Sequence, residues 1–169
     1  SLWYNQPARQ WVEALPVGNG FQGAMIFGGV HQERIQLNEE SVWTHERVFS
    51  DKRNGHRYIS KIRSLLFKEQ FEAAGQLINE HVLHPHGHAN TFQTLGDLFI
   101  TFPGNQDFFD YKRILDLDSA LVKVSYRLGD VNYQREYFSS NPARSTVVRL
   151  TADKPGSLSF SLSLSRPGE

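Results

Sequence analysis

The sequence predicts a mainly β protein: an antiparallel β-sandwich that carries an inserted helical hairpin. Three observations indicate this class. Apolar and polar residues alternate through most of the second half of the chain, tight-turn sequences separate the alternating segments, and one central stretch changes to a period of about 3.6 residues. Tight turns join neighbouring strands in antiparallel pairs, which favours a sandwich over a parallel sheet.

Residues 1–50 are predicted to form strands and loops. The passage 13–20 is rich in turn residues, with a proline and two glycines. Residues 23–30 are predicted as a buried strand, and a short turn at His31 and Gln32 leads into an alternating stretch. That stretch, residues 33–37, places Ile35 and Leu37 on one face and completes a predicted β-hairpin.

Residues 56–84 are predicted to form a helical hairpin inserted between two groups of strands. Tyr58, Ile62, Leu65 and Leu66 share one helical stripe, and a second stripe runs through residues 71–82. The polar residues 68–70 form the predicted joint between the helices. Pro85 and Gly87 end the helical pattern.

Residues 95–165 are predicted to form successive antiparallel strands. Within 120–128, Val122, Val124 and Tyr126 are predicted to point inward, and Gly129-Asp130 has the composition of a two-residue hairpin turn. A last strand is predicted over residues 158–164, where leucine or phenylalanine alternates with serine. The whole chain is therefore expected to be a single domain or the first part of a longer sandwich domain.

Composition excludes several functional classes. The 169 residues include 18 basic and 18 acidic side chains, and this balance argues against a nucleic-acid or anionic-membrane partner. The chain has no cysteine, which removes disulfides, thiol catalysis and thiolate zinc sites. No apolar run reaches the 18 or more residues that a membrane helix needs, and no cofactor motif is present. The first residue is serine rather than methionine, and the last ones follow directly on a strand, so we expect a processed chain that continues further.

Paired carboxylates would serve glycoside hydrolysis, but the sequence alone does not predict a catalytic pair. The candidates are Glu13, Glu39, Glu40 and Asp97. Glycoside hydrolysis with inversion needs two carboxyl groups about 6.5–9.5 Å apart. Glu39 and Glu40 are adjacent, so on a strand their side chains point to opposite faces. No Gly-x-Ser-x-Gly elbow or phosphate-binding loop is present.

Four histidines cluster in residues 81–88. His81, His84, His86 and His88 carry the imidazole groups that divalent metals prefer, but no acidic residue lies between Glu80 and Asp97. A solvated loop is therefore predicted, with no metal site. Metal retained after chelation of an untagged sample would favour the opposite interpretation.

The most promising sugar-facing residues are Asn38, Glu39 and Trp43. Aromatic residues make up 12% of the chain, and an aromatic ring beside amide and carboxylate groups is the chemistry of a sugar subsite. We predict that Asn38, Glu39 and Trp43 face substrate. The alternative for Trp43, as for Trp3 and Trp11, is that the ring caps the core.

Several passages resemble the start of glycoside hydrolase family 95, the alpha-L-fucosidase-like enzymes, whose opening is also described as a family 65-type N-terminal domain. The most specific passage runs from residue 2 to residue 43. It includes Leu-Trp-Tyr at 2–4, Glu-Ala-Leu-Pro-Val-Gly-Asn-Gly at 13–20, Phe-Gly-Gly-Val at 27–30 and Glu-Arg-Ile-Gln-Leu-Asn-Glu at 33–39. Weaker matches continue at 95–98, 111–117, 133–140 and 158–164, so the resemblance covers nearly the whole chain.

The resemblance implies an N-terminal β-sandwich of the supersandwich type, joined to a downstream (α/α)6 catalytic domain in a secreted or periplasmic bacterial enzyme. Such enzymes hydrolyse alpha-linked L-fucose, or L-galactose in some members, with inversion. Their catalytic groups lie on the helical domain, so no catalytic residue is assigned to this chain. The implied partners are that catalytic domain and an oligosaccharide substrate. A stand-alone carbohydrate-binding module is the alternative function.

Overall fold

The computed structural model describes residues 1–43, 54–83 and 91–166, and it confirms a mainly β fold. The chain divides into two compact units, one formed by residues 1–42 together with the chain from 93 onward, the other by residues 43–92. The first unit is a sandwich of two antiparallel sheets, and the second contains two helices.

The sandwich unit contains ten strands among its described residues. In chain order these are β1 (Leu2–Tyr4), β2 (Leu15–Gly18), β3 (Gln22–Ile26), β4 (Gln32–Glu39), β5 (Gly96–Thr101), β6 (Phe108–Asp116), β7 (Leu121–Leu128), β8 (Val131–Ser140), β9 (Ser145–Ala152) and β10 (Ser161–Ser165). The first sheet has the order β1-β6-β7-β8-β9, and the second has the order β10-β5-β4-β3-β2. All strand pairs are antiparallel, as the tight turns predicted.

The hydrophobic core lies between the two sheets. The period of two places Val122, Val124 and Tyr126 of β7 on the inner face, where all three are buried as predicted. They pack with inward residues of the second sheet such as Ile26 and Ile35. Alternation along the strands thus decides which side chains form the core.

The predicted hairpin in the first segment is present, but its first strand is shorter than expected. The sequence predicted a strand through residue 30, whereas β3 ends at Ile26. The chain cannot continue as a strand because Gly28 adopts a positive φ of 76°. Residues 27–30 instead form a connection that supplies backbone groups to the core.

The turn-rich passage 13–20 contains a strand that the sequence analysis did not predict. In β2, Pro16 lies opposite Met25 of β3, and β2 is the last strand of its sheet among the described residues. Proline lacks an N–H group, and an edge position is where a strand tolerates that loss. Pro16 therefore marks an edge strand here rather than a turn.

The second unit contains the predicted helical hairpin. A 3₁₀ turn (Gly55–Tyr58) leads into α1 (Ile59–Phe67), and α2 (Phe71–His81) follows after the three-residue joint that the sequence predicted. Ile62 and Ala74 are its buried residues on the two helices. No helix among the described residues is long and apolar enough to cross a membrane.

Candidate functional site

The predicted sugar-facing residues begin at the end of β4. Asn38 lies opposite Gly23, and Glu39 lies opposite Gln22, in the β3–β4 pair. Because neighbouring strand residues alternate, the side chains of Asn38 and Glu39 point to opposite faces of the sheet. The two groups therefore do not form a single polar surface on this strand.

The Glu39 carboxylate is used within its own turn. It accepts hydrogen bonds from the backbone N–H and the hydroxyl of Ser41, at 3.0 and 2.5 Å. The adjacent residue, Glu40, donates its backbone N–H to the carbonyl of Phe21 and so extends the hairpin. Glu39 thus stabilises the exit from β4, and a contact with substrate would compete with these bonds.

Trp43 lies at the start of the helical unit. Its backbone forms an antiparallel bridge with Phe92, and the two rings meet edge to face with centroids 5.2 Å apart. Half of the Trp43 surface is exposed. Trp43 and Phe92 thus hold together the first and last residues of the 43–92 unit. Since the ring also has exposed surface, its contact with substrate stays a prediction.

Trp3 and Trp11 are also more than half exposed, and neither belongs to the core cluster of the sandwich. Trp3 extends from the edge strand β1, where the Lys112 ammonium approaches its ring at 5.9 Å. A ring that caps a core can be partly exposed, so the alternative that these two rings cap the core stays a prediction. β1 has only three residues, and all three are exposed.

Two of the other candidate carboxylates stabilise local structure. Glu13 accepts hydrogen bonds from the backbone N–H groups of Arg9 and Gln10, and these bonds lower the pKa of its carboxyl group below the ordinary value. Asp97 forms an ion pair with Arg34 at 2.9 Å. The structure therefore gives each of these groups a positioning role within the fold.

A cleft of about 280 Å³ lies between the ends of the two sheets. Its apolar lining includes Leu37 and Leu98 of the second sheet and Val148 of β9, and Gln22 and Arg144 are among the polar residues around it. Asn38 also borders this cleft. The volume lies just below the usual range for small-molecule sites, which begins at about 300 Å³.

A second cleft, of about 390 Å³, lies on the first sheet. Its lining is mostly polar and includes Asp110, Ser125, Asn132, Gln134 and Asp153. Two of these groups already have partners, since Asp110 pairs with Arg127 and Asp153 accepts hydrogen bonds from Asn132. The rings of Tyr126 and Tyr133 also line this cleft, so it combines hydrogen-bonding groups with aromatic surface.

The densest polar cluster of the described residues lies inside the sandwich, where sequence analysis did not place one. The Glu33 carboxylate of β4 is fully buried. It accepts hydrogen bonds at 2.7 Å from the backbone N–H of Gly28 and from the hydroxyl of Tyr137, and the Arg135 guanidinium lies 3.4 Å away. Burial raises the pKa of Glu33 above its ordinary value, while Arg135 and the two hydrogen bonds oppose that rise.

Arg135 of β8 is the cationic partner in this cluster. Its guanidinium donates to the carbonyl oxygens of Gly29 and Val30, at 2.6 and 2.7 Å, and to the Tyr126 hydroxyl at 2.5 Å. The guanidinium also lies 4.1 Å from the centroid of the Phe102 ring. One arginine of the first sheet therefore binds the 27–30 connection of the second sheet.

A second buried arginine, Arg113 of β6, also binds a backbone carbonyl at the second sheet. Arg113 donates to the carbonyl oxygen of Glu13 at 2.7 Å, and its guanidinium lies 4.8 Å from the centroid of the Tyr4 ring. Beside it, the Tyr111 hydroxyl donates to the carbonyl of Gly28 at 2.7 Å. Together these groups join the two sheets through polar contacts as well as through apolar packing.

This cluster is structural. Its side chains are buried and mostly bonded to one another or to nearby backbone, which leaves no open position for a substrate. The alternation of the strands could have indicated this buried cluster. Glu33 lies two residues from Ile35 and Arg135 lies two residues from Tyr137, so each charged residue shares the face of a core residue. A charged residue in register with core residues indicates a buried ion pair.

The buried tyrosines predict a loss of stability at alkaline pH. Burial raises the pKa of Tyr111, Tyr126 and Tyr137 above the ordinary value of about 10. A raised pKa stabilises the fold below the unfolded-state pKa, and that stabilisation is lost as the pH rises toward the folded-state value. We expect the free energy of unfolding to fall above about pH 10. Tyrosinate absorbance of these three residues should appear only with unfolding, and early ionisation of all six tyrosines in folded protein would contradict this.

Within residues 1–43, 54–83 and 91–166, no three histidine or acidic side chains are grouped closely enough to hold a metal ion. His81 ends α2, and its ring stacks on Tyr58 with centroids 3.8 Å apart. The other three histidines of the predicted loop, His84, His86 and His88, lie outside the described residues. The prediction of a metal-free loop stays untested for them.

Comparison with known proteins gives a consistent result. The family described as "Glycosyl hydrolase family 65, N-terminal domain" matches residues 2–169. Alpha-L-fucosidase 2 of Arabidopsis thaliana is 34% identical over 165 residues, which is 96% of this chain and 19% of the plant protein. A probable alpha-fucosidase A of Aspergillus niger is 30% identical over 163 residues, which is 90% of this chain and 20% of that protein.

A probable alpha-fucosidase A of Aspergillus oryzae is 27% identical over 168 residues and has 22% of its length covered. The chain thus spans about a fifth of the length of these relatives. Their plant and fungal sources lend no support to the predicted bacterial origin. Since the family match extends over nearly every residue, the chain belongs to the glycosyl hydrolase family 65 N-terminal domain family.

Proposed function

We propose that this chain is the N-terminal β-sandwich part of a glycoside hydrolase that releases alpha-linked L-fucose or L-galactose from glycans. The observation that carries the proposal is the similarity along nearly the whole chain to proteins named alpha-fucosidases. The proposed role of the sandwich is to support a downstream (α/α)6 domain that carries the catalytic groups. We also propose that the enzyme acts in the periplasm or outside the cell.

The local partners of the candidate carboxylates support a catalytic centre outside this chain. Glu13, Glu39 and Asp97 each accept a hydrogen bond or pair with a neighbouring cation, and Glu33 is enclosed in the core. A general acid must reach the glycosidic oxygen directly, and an inverting base must hold a water molecule opposite it. Groups engaged in turns and cores are poorly placed for either task.

Amide substitutions test this division of labour. In the longest polypeptide that carries this chain, Glu39→Gln and Asp97→Asn should leave kcat for an aryl alpha-L-fucoside within about tenfold, because a true general acid or base contributes roughly 10²–10⁴-fold. A loss of that larger size with unchanged folding would place catalysis in this chain. The stereochemistry is tested separately by following with NMR which anomer of the released sugar forms first. Retention of configuration would contradict the expected inverting hydrolysis.

Trp43 is the proposed contribution of this chain to substrate binding, together with Asn38 and Glu39. Half of the Trp43 surface is exposed, its ring lies beside Phe92, and an exposed ring can stack on the apolar face of a sugar. We expect Trp43→Ala to raise KM for a fucoside with little change in kcat, and Trp43→Phe to restore much of the affinity. Trp11→Ala, which removes a similarly exposed ring from the sandwich unit, is the matched control. A fall in Tm without a change in KM would reject the proposal for Trp43.

The alternative function is a stand-alone carbohydrate-binding module. Titration of the 169-residue chain with fucosylated oligosaccharides separates the two functions. Saturable heat with defined stoichiometry would favour a module, whereas the supporting role predicts no measurable binding by the chain alone.

A further inference from the structure

The inner face of the second sheet is covered by the first sheet at β3 and β4 but becomes exposed to solvent toward β10. Ile26, Ile35, Leu98 and Leu164 form one row across β3, β4, β5 and β10, since each lies opposite the next in the strand pairing. The first two are completely buried and Leu98 is partly buried, but Leu164 is 75% exposed. The row is apolar along its whole length, yet only part of it lies under the first sheet.

A neighbouring row shows the same change. Glu33 of β4, Ile100 of β5 and Leu162 of β10 are paired across the sheet. Glu33 and Ile100 are buried, whereas Leu162 is 61% exposed. Both rows therefore become exposed at the same place, and β10 presents a leucine face with only serines between the leucines.

The first sheet ends before it reaches this region. Its last strand, β9, packs against β3, while β5 and β10 lie further along the second sheet. Among the described residues, β9 pairs only with β8, so one of its edges is open. An open edge leaves a row of backbone N–H and C=O groups ready to pair with another strand.

The edge strands on the two sides of the sandwich differ in how well they are protected against strand addition. On one side, β1 has three residues and β2 contains Pro16, and short length and proline both discourage edge pairing. On the other side, β9 has eight residues, no proline and a single charged residue, Arg149. This second edge lacks the usual protection against strand addition.

The 280 Å³ cleft lies where the open edge meets the uncovered face. Val148 of β9 forms one wall, and Leu37 and Leu98 of the second sheet form another. An apolar side chain inserted into this cleft would complete the packing of these residues. The cleft, the exposed leucines and the open edge are therefore parts of one continuous surface.

We propose that a further β-strand of the same polypeptide pairs with the open edge of β9 and lays its apolar side chains over Leu98, Leu162 and Leu164. A strand is the partner that satisfies an eight-residue backbone edge and a leucine face together. The similar proteins are about five times as long as this chain, so the rest of such a polypeptide could supply the strand. A covalently attached strand would be present at high effective concentration. This inference requires a longer polypeptide but does not depend on its enzymatic activity.

Cysteine labelling tests the proposal in the longest polypeptide that carries this chain. The described chain has no cysteine, so Leu162→Cys, Leu164→Cys and Leu117→Cys each introduce a single site within it. Leu117 is the matched control, because its 63% exposure is close to the 61% of Leu162 and it follows β6. Alkylation is read by peptide mass spectrometry, and near-ultraviolet circular dichroism checks that each variant folds.

We expect both β10 cysteines to react at least about tenfold more slowly than the control, because a covered site reacts only after local opening. We also expect slow hydrogen exchange at the β9 amides that do not pair with β8, because only a second partner strand would protect those amides. Equal alkylation rates, or fast exchange at all of the β9 amides that do not pair with β8, would overturn the proposal. Protection that increases with protein concentration would do the same, since it would identify a second copy as the partner. Absence of fucoside hydrolysis by the unsubstituted polypeptide, with the protection present, would contradict only the proposed hydrolase function.

Discussion

Replacing Glu33 with alanine is expected to lower the free energy of unfolding by about 3–5 kcal/mol, the usual cost of breaking a buried ion pair from one side. The substitution removes the carboxylate that Arg135, Tyr137 and the Gly28 N–H share. It leaves the Arg135 charge buried with carbonyl and hydroxyl partners but without its counter-ion. Denaturant unfolding followed by intrinsic fluorescence measures the change.

An exposed ion pair on the first sheet, which also carries Arg135, provides the control. Arg149 of β9 pairs with Glu136 at 3.3 Å, and most of its side chain is exposed. Arg149→Ala should therefore cost at most about 1 kcal/mol. Glu33→Gln should fall between the two, because the amide keeps the shape and some hydrogen bonds but loses the charge. A cost for Glu33→Ala no larger than that of Arg149→Ala would contradict the role assigned to the cluster.

Gly28→Ala is the second substitution with a large expected effect, a loss of roughly 2–5 kcal/mol in the free energy of unfolding. Gly28 has a φ of +76°, and the left-handed conformation costs an alanine about 1–2 kcal/mol. The added Cβ would also lie 2.4 Å from the Tyr111 hydroxyl and 2.7 Å from Cδ of Arg113. Overpacking of this kind typically costs about 1–3 kcal/mol more.

Gly156 separates these two contributions. It has the same φ of +76°, but an added Cβ there would meet no atom of the described structure within 4 Å. Gly156→Ala should therefore show the backbone cost alone, about 1–2 kcal/mol. Equal losses for the two variants would mean that the surroundings of Gly28 yield easily and that the cluster is not tightly packed.

The regular parts of the fold follow from local sequence patterns. Alternation in β7, the Gly129-Asp130 turn and the two helices of the hairpin each rest on residues close in sequence, and each is confirmed. The predicted helical stripes are only partly buried, because Leu66 and Phe71 are exposed. Pro16 shows where such reasoning fails, because whether a proline marks a turn or an edge strand depends on the order of strands in the sheet. Gly28 shows a second case, since the sequence does not reveal that this glycine adopts a positive φ and accepts a hydrogen bond from Tyr111.

The polar interior was harder to predict than the apolar core. Glu33 and Arg135 are about a hundred residues apart, so no local pattern connects them, and an isolated charge on a strand is more often solvated. The candidate site was predicted from residue type, without regard to the direction of the side chains. Residue type alone grouped Asn38, Glu39 and Trp43, and strand alternation directs the side chains of Asn38 and Glu39 to opposite faces of the sheet. Their contact with substrate stays a prediction.

The most direct test of the proposed division of labour compares two polypeptides in one assay. Release of L-fucose from an aryl alpha-L-fucoside is measured for the 169-residue chain and for the longest polypeptide that carries it, at equal molar concentration. We predict turnover by the longer polypeptide and only the uncatalysed background rate for the chain alone. Turnover by the isolated chain above that background would contradict the account, because the catalytic groups would then lie among these residues.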